Sequence, residues 1–247
     1  MDRGYVLHSY PYRETSLILQ AWTEKHGRLA LVAKGARRPK SASRIVLVPF
    51  QPLALDWFGR GELRTLKTAE PTVPATPLAG EALMSAFYMN ELLLKLTTRE
   101  DPHEDLFRAY DTAITQLRAV SRSDAAPRAS DLEPVLRRFE LKLLQELGYA
   151  LELAREAGSH VPIAAEREYF YVVERGAVGA SEGETPSNAV RLRGLTLIDL
   201  ERGRFEDPTT VAQSKQLMRL LIHHSLNGQE LATRALVRDL QRTKDEQ

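Results

Sequence analysis

The residues with the clearest chemistry are cations in a stretch that contains no acid. Between Glu24 and Asp56 the charged side chains are all lysine or arginine: Lys25, Arg28, Lys34, Arg37, Arg38, Lys40 and Arg44. From Gly35 onward, glycine, proline and small hydroxyl residues disfavour a helix and predict an exposed loop. Such a loop attracts a phosphate backbone, because each neutralised phosphate releases a bound counterion. The alternative is a solvated loop whose charge serves only solubility.

The charge of the chain is uneven, although its sum is +1. Residues 1–75 carry 12 Lys and Arg against 6 Asp and Glu, whereas the remaining residues carry 22 against 27. An asymmetry of this kind indicates a module that binds polyanions, joined to a more neutral body.

Composition also excludes several kinds of site. There is no cysteine, so a disulfide, a thiolate zinc site and a cysteine nucleophile are ruled out. The N-terminal residues lack the apolar core of a signal peptide, and no apolar run approaches the length of a membrane span. We expect a soluble, cytoplasmic protein that does not act at a membrane.

Short strands separated by turn residues predict a small β-barrel at the front of the chain. A five-stranded barrel with one long basic loop is typical of an OB-fold that contacts nucleic acid. A proline-rich connector, Pro71–Pro77, then predicts a boundary near residue 75. The expected strands are Tyr5–His8, Ser16–Trp22, Arg28–Ala33, Val48–Phe58 and Glu62–Ala69.

Beyond the connector, the apolar period changes to that of helices. We therefore predict an α+β, multi-domain chain: an OB-fold over 1–75 and a helical domain over 76–247, with a small irregular or β insert over 155–208. Asp101 is expected to cap the second helix, with Pro102 in its first turn. The expected helices are Leu83–Leu96, Asp101–Leu117, Asp131–Leu147, Thr210–Leu226 and Gln229–Arg242.

No catalytic motif stands out. There is no phosphate-binding loop, zinc-protease motif or nucleophile elbow. His223 and His224 are adjacent on a predicted helix and point about 100° apart, so they do not form a metal pair. The acids of 100–105 could hold a hard cation, but charge at the first turn of a helix explains them more simply. We expect a binding protein with no cofactor, rather than an enzyme.

Several short motifs together resemble RecO, a bacterial recombinational repair family. The resemblance covers nearly the whole chain, and no single motif is specific. The matching segments are Val6–Ser9, Tyr12–Leu17, Thr23–Arg28, Val32–Arg37, Gln51–Pro52, Gly59–Leu63, Asn90–Leu92, Arg137–Glu140 and Leu147–Tyr149.

This resemblance implies an N-terminal OB-fold, a helical body and a small insert that in many members is a four-cysteine zinc ribbon. It also implies binding to single- and double-stranded DNA and annealing of complementary strands. Implied partners are RecR, possibly RecF, and the acidic C-terminal tail of single-strand-binding protein, on whose DNA the family loads RecA. Because the insert here has no cysteine, we expect no zinc and short strands held by packing alone.

The resemblance also assigns candidate site residues. The DNA-binding loop of the family matches Lys34, Arg37, Arg38, Lys40 and Arg44 of this chain. Arg60 is expected on a hairpin tip nearby.

Three aromatic residues, Trp22, Trp57 and Phe58, are possible base-stacking residues, although core packing is expected for at least two of them. A receptor for the acidic tail is expected where Arg137 and Arg138, aided by Lys215 and Arg219, border the apolar Leu83, Phe87 and Tyr88.

Two functions therefore remain after the sequence. The first is a DNA-binding, strand-annealing mediator of recombinational repair, associated with the nucleoid. The second is an adaptor whose main contacts are with proteins and whose basic loop is incidental.

Overall fold

A computed structural model describes residues 1–122, 129–149, 151–180 and 186–245. The chain forms two compact units. The first unit comprises Met1–Pro127 and Leu231–Gln247, and the second comprises Arg128–Glu230. Within the described residues, no helix has both the length and the apolar character needed to cross a bilayer.

The first unit begins with the closed, OB-like barrel that the sequence predicts. Its order is β1-β2-β3-β5-β4, with β3 and β5 parallel and the other pairs antiparallel. Side chains that alternate along the strands fill the interior, among them Leu19, Leu31 and Leu53. The strands are β1 (Asp2–Tyr12), β2 (Ser16–Thr23), β3 (Gly27–Ala33), β4 (Leu53–Phe58) and β5 (Leu63–Pro71).

One short helix was not expected. Helix α1 (Ser43–Val46) interrupts the loop between β3 and β4, where a helix-free segment was predicted. The Leu47 N–H donates to the Ser43 carbonyl, which closes this single turn. Proline and glycine stop at Pro39, so the sequence that follows can form a turn of helix.

Three helices complete the first unit: α2 (Gly80–Leu96), α3 (Glu104–Ser121) and α7 (Ala232–Asp245). Helices α2 and α3 contact the barrel, and α7 packs on α2. The prediction that Asp101 caps α3 is wrong. The N–H of Glu100 donates to the Arg28 carbonyl, so the chain stays against β3 and α3 begins at Glu104. Gly27 allows this approach, since a Cβ there would lie 2.1 Å from the Asp101 carbonyl oxygen.

A bulge in β1 fixes the barrel to the helices. Between Val6 and His8 the register with β2 shifts, which leaves Leu7 without a partner residue. The side-chain amide of Asn90 on α2 donates to the Leu7 carbonyl at 2.8 Å, and the Tyr110 hydroxyl on α3 donates to the Asn90 Oδ1 at 2.6 Å. All of these atoms are buried, and burial raises the pKa of Tyr110 well above its usual value.

The neighbouring residue on α2 attaches the last helix. The Glu91 carboxylate accepts the backbone N–H groups of Ala232 and Thr233, together with the Thr233 hydroxyl, at 2.7–2.9 Å. Burial opposes ionisation of Glu91, but these hydrogen bonds outweigh it and lower its pKa. Glu91 thus caps α7 from another helix.

The second unit combines helices with a three-stranded sheet of order β7-β6-β8. The sequence pattern does not predict β7 or α5; α5 spans eight residues and is too short to show a helical period. The domain boundaries 1–75 and 76–247, and the insert 155–208, stay predictions. The elements are α4 (Ala129–Glu146), β6 (Glu168–Val172), β7 (Gly176–Gly179), β8 (Ala189–Arg193), α5 (Gly194–Glu201) and α6 (Pro208–Ser225).

The buried Asn90 amide should contribute strongly to the stability of the first unit. Asn90→Ala is expected to lower the free energy of unfolding by about 3 kcal/mol, because the Leu7 carbonyl and the Tyr110 hydroxyl lose their partners. Tyr110→Phe should cost about 1–2 kcal/mol, since it leaves only the Asn90 Oδ1 unsatisfied.

Urea unfolding followed by tryptophan fluorescence measures this effect, because Trp22 is fully buried in the barrel. Thr115→Ala is the matched control, since its hydroxyl bonds to the Asp111 carbonyl at the surface. An Asn90→Ala loss no greater than that of the control would contradict the bridging role.

Candidate nucleic-acid interface

The basic loop (residues 34–44) is held at its base by contacts to the β1–β2 turn. Gly35 adopts a positive φ of 70°, which turns the chain away from β3. Ala36 is buried in the barrel core, and the Arg37 N–H donates to the Thr15 carbonyl at 2.8 Å. The loop therefore leaves the barrel from a fixed point.

The predicted loop cations Lys34, Arg37, Arg38, Lys40 and Arg44 are all exposed. Within the described residues, none of the five has a carboxylate at ion-pair distance. Two other cations of the barrel are neutralised: Arg3 lies 3.0 Å from Asp111, and Arg64 lies 2.8 Å from Glu100. A carboxylate partner would compete with phosphate, so the loop keeps its charge available for a polyanion.

Arg13 adds a cation that sequence analysis missed. It lies on the β1–β2 turn with a positive φ of 51°, and its side chain is exposed. The Arg37 guanidinium lies 3.4 Å from the carbonyl oxygens of Arg13 and Glu14, so the turn adjoins the loop. No local pattern signals this, because the two segments are more than twenty residues apart in sequence.

A shallow polar cleft lies beside the loop. Its volume is about 310 Å³, and Lys34, Ser43 and Lys67 line it with Thr68 and Glu70. Lys67 is bound to Asp56 at 3.1 Å, whereas Lys34 has no carboxylate at ion-pair distance within the described residues. The cleft offers hydroxyl and ammonium donors of the kind that bind phosphate oxygens.

Arg60 is exposed, but the strand register separates it from the basic loop. Ala30 of β3 lies opposite Leu63 of the parallel β5, whereas the loop begins after Ala33. At roughly 3.3 Å per residue, Lys34 lies about 13 Å along the strand direction from the start of β5, and the Arg60 tip precedes that start. The hairpin tip and the start of the loop are thus offset along the strands, and a role for Arg60 in DNA binding stays a prediction.

The two candidate tail-binding arginines of α4 differ sharply. Arg138 is exposed, and its guanidinium lies 5.2 Å from the centre of the Phe205 ring. Arg137 is only 4% exposed and donates to the Glu140 carboxylate at 3.0 Å. Both arginines were expected at the border of an accessible receptor, whereas the Arg137 side chain is buried.

An apolar groove lies beside Arg138 in the second unit, with a volume of about 400 Å³. Lys215 lines it and is bound to Glu133, while Arg219 on the same helix is exposed. The predicted apolar partners Leu83, Phe87 and Tyr88 belong to the first unit. The lining residues are Phe205, Pro208, Val211 and Ala212, with Glu133, Glu206 and Lys215.

The aromatic candidates also differ in exposure. Trp22 is fully buried, and Trp57 packs its ring edge-on to His26 at 5.1 Å while contacting the barrel core. Core packing is thus confirmed for these two residues. Phe58 is 55% exposed.

A metal site is not apparent in the parts of the chain that the structure describes, since no three histidine or acidic side chains there are grouped closely enough to hold an ion. The acids of 100–105 are instead engaged with cations. Glu100 pairs with Arg64 at 2.8 Å, and Glu104 lies 3.5 Å from Arg108.

The cysteine-free insert is held by more than packing, contrary to expectation. The Arg167 guanidinium and the Ser159 hydroxyl donate to the two oxygens of the Glu156 carboxylate at 3.1 and 3.0 Å. The Ile163 N–H donates to the Ala154 carbonyl at 3.0 Å, which closes a small hairpin. Glu156 thus ties together this part of the chain.

Comparison with known proteins identifies relatives over nearly the whole chain. The family model described as recombination protein O N terminal matches residues 1–75, and the one described as recombination protein O C terminal matches residues 78–235. The DNA repair protein RecO of Nitrosospira multiformis is 48% identical over 238 residues, which is 96% of this chain and 94% of the relative. The DNA repair protein RecO of Aromatoleum aromaticum is 47% identical over 238 residues, 96% of this chain and 95% of the relative.

The Glu156 contacts predict how the insert responds to mutation and to chelation. Glu156→Ala should destabilise the hairpin by about 1 kcal/mol, seen as faster hydrogen exchange at the Ile163 N–H. Glu166→Ala, which removes an exposed carboxylate nearby, is the control. EDTA should leave this exchange unchanged; faster exchange with EDTA would show that a metal holds the insert.

Proposed function

The chain belongs to the recombination protein O family, and from that premise we propose that it is a DNA-binding mediator of recombinational repair. It binds single- and double-stranded DNA without sequence specificity, anneals complementary strands, and helps to load RecA on DNA coated by single-strand-binding protein. The observation that carries this proposal is the basic loop, whose five exposed cations have no carboxylate partner within the described residues. Such a protein would be associated with the nucleoid.

The chemistry of the loop suits a function that ignores sequence. Lysine and arginine on an exposed loop contact phosphates, and phosphate contacts position a protein on DNA without discriminating bases. The base edges then stay available for pairing. Two strands bound near the same cations also repel each other less, which promotes annealing without breaking or forming a covalent bond.

The groove of the second unit supports the protein-binding part of the proposal. An acidic tail that ends in an apolar residue needs an apolar pocket with cations at its border. Phe205, Pro208 and Val211 provide the apolar wall, and Arg138 provides the charge at its border, while Lys215 would have to exchange Glu133 for the tail. Arg219 extends the cationic border on α6. RecR, and in some members of the family RecF, are the further partners that this proposal includes.

An adaptor that works mainly through protein contacts is the second candidate. The observation in its favour is this same groove, which is more apolar than a phosphate-binding surface. In an adaptor, the basic loop would be dispensable and the groove essential. DNA binding by a loop variant and peptide binding by an α4 variant distinguish the two functions.

Removing three loop charges should weaken DNA binding and its dependence on salt. For single strands, the logarithm of affinity falls with the logarithm of salt concentration by roughly 0.7 for each neutralised phosphate. Lys34/Arg37/Arg38→Ala should therefore flatten the slope by about 2 and weaken single- and double-stranded DNA alike. Anisotropy of labelled oligonucleotides over a salt series measures both effects.

Arg108/Arg191/Arg204→Ala is the matched control for this experiment. It removes the same charge, but each of these arginines is already bound to a carboxylate. If the control flattens the salt dependence of DNA affinity as much as the loop variant does, the effect comes from overall charge, and the loop is not the DNA-binding site. Unchanged annealing by the folded loop variant would favour the adaptor.

The second experiment concerns the arginines of α4. Arg138→Ala should weaken binding of an acidic peptide that ends in an apolar residue by about tenfold and leave the melting temperature nearly unchanged. Arg137→Ala should instead destabilise the second unit by about 3–5 kcal/mol, because the buried Glu140 carboxylate loses its charged partner. Calorimetric titration and thermal unfolding measure the two effects.

Arg175→Ala is the control for the peptide titration, since Arg175 is an exposed arginine on the same unit and away from the groove. Equal peptide affinity for Arg138→Ala and this control would exclude the groove as the receptor. A fully stable Arg137→Ala would exclude the structural role of the buried arginine.

A further inference from the structure

The tip of the β4–β5 hairpin exposes two large apolar side chains next to a cation. Phe58 is 55% exposed and Leu63 is 42% exposed. Between them, Gly59 and Gly61 adopt φ values of 104° and 87°, which suit glycine and leave Arg60 at the tip. Neither apolar side chain belongs to the barrel core.

Strand pairing places Phe58 and Leu63 on the same face. Phe58 lies directly opposite Thr65, and Leu63 precedes Thr65 by two residues, so all three project from one side of the hairpin. Trp57, the residue before Phe58, packs with the core and with His26 instead. Packing of Trp57 against the core thus holds the strand so that the Phe58 ring faces outward.

The charges at the tip favour a polyanionic ligand. Arg60 is exposed and, within the described residues, has no carboxylate at ion-pair distance. Glu62 is the acid nearest in sequence, and it lies 3.8 Å from Arg99. A flat exposed ring beside an unneutralised guanidinium matches a nucleotide, which offers an apolar base and a phosphate together.

We propose that Phe58, with Leu63 and Arg60, forms a stacking platform for an unpaired base of single-stranded nucleic acid. The proposal deepens the function inferred above and rests on it. Aromatic stacking does not depend on base identity, because every base has a π-face. In a duplex, those faces are covered by neighbouring base pairs, so the platform selects an unpaired strand.

The distance between the platform and the basic loop gives each a separate role. Lys34 lies about 13 Å along the strands from the start of β5, and the tip lies beyond that start. The loop contacts phosphates, which single and double strands share. A strand that also reaches Phe58 gains a contact that a duplex lacks, so preference for single strands depends on the platform.

The test compares single-stranded and duplex oligonucleotides of equal length for the wild type and Phe58→Ala. Loss of a stacked base is expected to weaken single-strand affinity by about five- to a hundredfold and to change duplex affinity by less than about twofold. Phe58→Leu keeps an apolar side chain and should show most of the same loss. Phe58→Trp should retain affinity, and its added fluorescence should be quenched by a single strand but not by a duplex.

Val161→Ala controls for the removal of an exposed apolar side chain, since Val161 is 49% exposed in the second unit. If Phe58→Ala changes the affinity for single strands and duplexes equally, or changes neither, the platform is overturned. The proposed function is then still tested by the Lys34/Arg37/Arg38→Ala variant. Absence of single-strand binding by the wild type would overturn both. Loss of acidic-peptide binding with single-strand affinity intact would show that the tip binds a protein.

Discussion

The attachment of the barrel to the helices of the first unit depends on one buried hydrogen-bond chain, from Tyr110 through Asn90 to the Leu7 carbonyl. A bulge in β1 creates the need for it, since the unpaired carbonyl would otherwise be buried without a donor. In a low-dielectric interior such a bond holds its groups in one arrangement, because each alternative leaves a polar atom unsatisfied. The adjacent Glu91 faces α7 and caps it, while Leu92 is buried. Three consecutive residues of α2 thus join the barrel, the last helix and the core of the first unit.

The distribution of charge partners distinguishes the two units more clearly than the number of charges does. In the second unit, Arg137, Arg167, Arg191 and Arg204 each have a carboxylate within reach. Each pair stabilises local geometry. Its two opposite charges largely cancel, so it attracts a distant polyanion only weakly. The cations of the basic loop have no such partners within the described chain, so their field extends into solvent. Net charge near zero therefore conceals a surface with a strong local potential.

Local patterns were sufficient for the barrel strands and for most helices, because alternation and helical period are properties of contiguous residues. The end of the barrel that carries Arg60 was not predictable, since it depends on the parallel register of β3 and β5, which are separated by a long connection. The place of Arg13 beside the basic loop was also not predictable, because the β1–β2 turn and the loop are more than twenty residues apart in sequence. The burial of Arg137 had a signal in the sequence, namely Glu140 one helical turn later, which can neutralise a buried guanidinium. Helix α5 is too short for its period to be recognised.

The first unit is not contiguous in sequence, since Leu231 and α7 return to it after the whole of the second unit. During synthesis on the ribosome, the barrel and helices α2 and α3 emerge long before the helix that Glu91 caps. Translation at about 5–20 residues per second would separate the two events by roughly 5–20 s for an insertion of about 100 residues. Over that interval the Glu91 carboxylate and the α2 surface beneath α7 are exposed in the nascent chain. Truncation before Leu231 would make that exposure permanent.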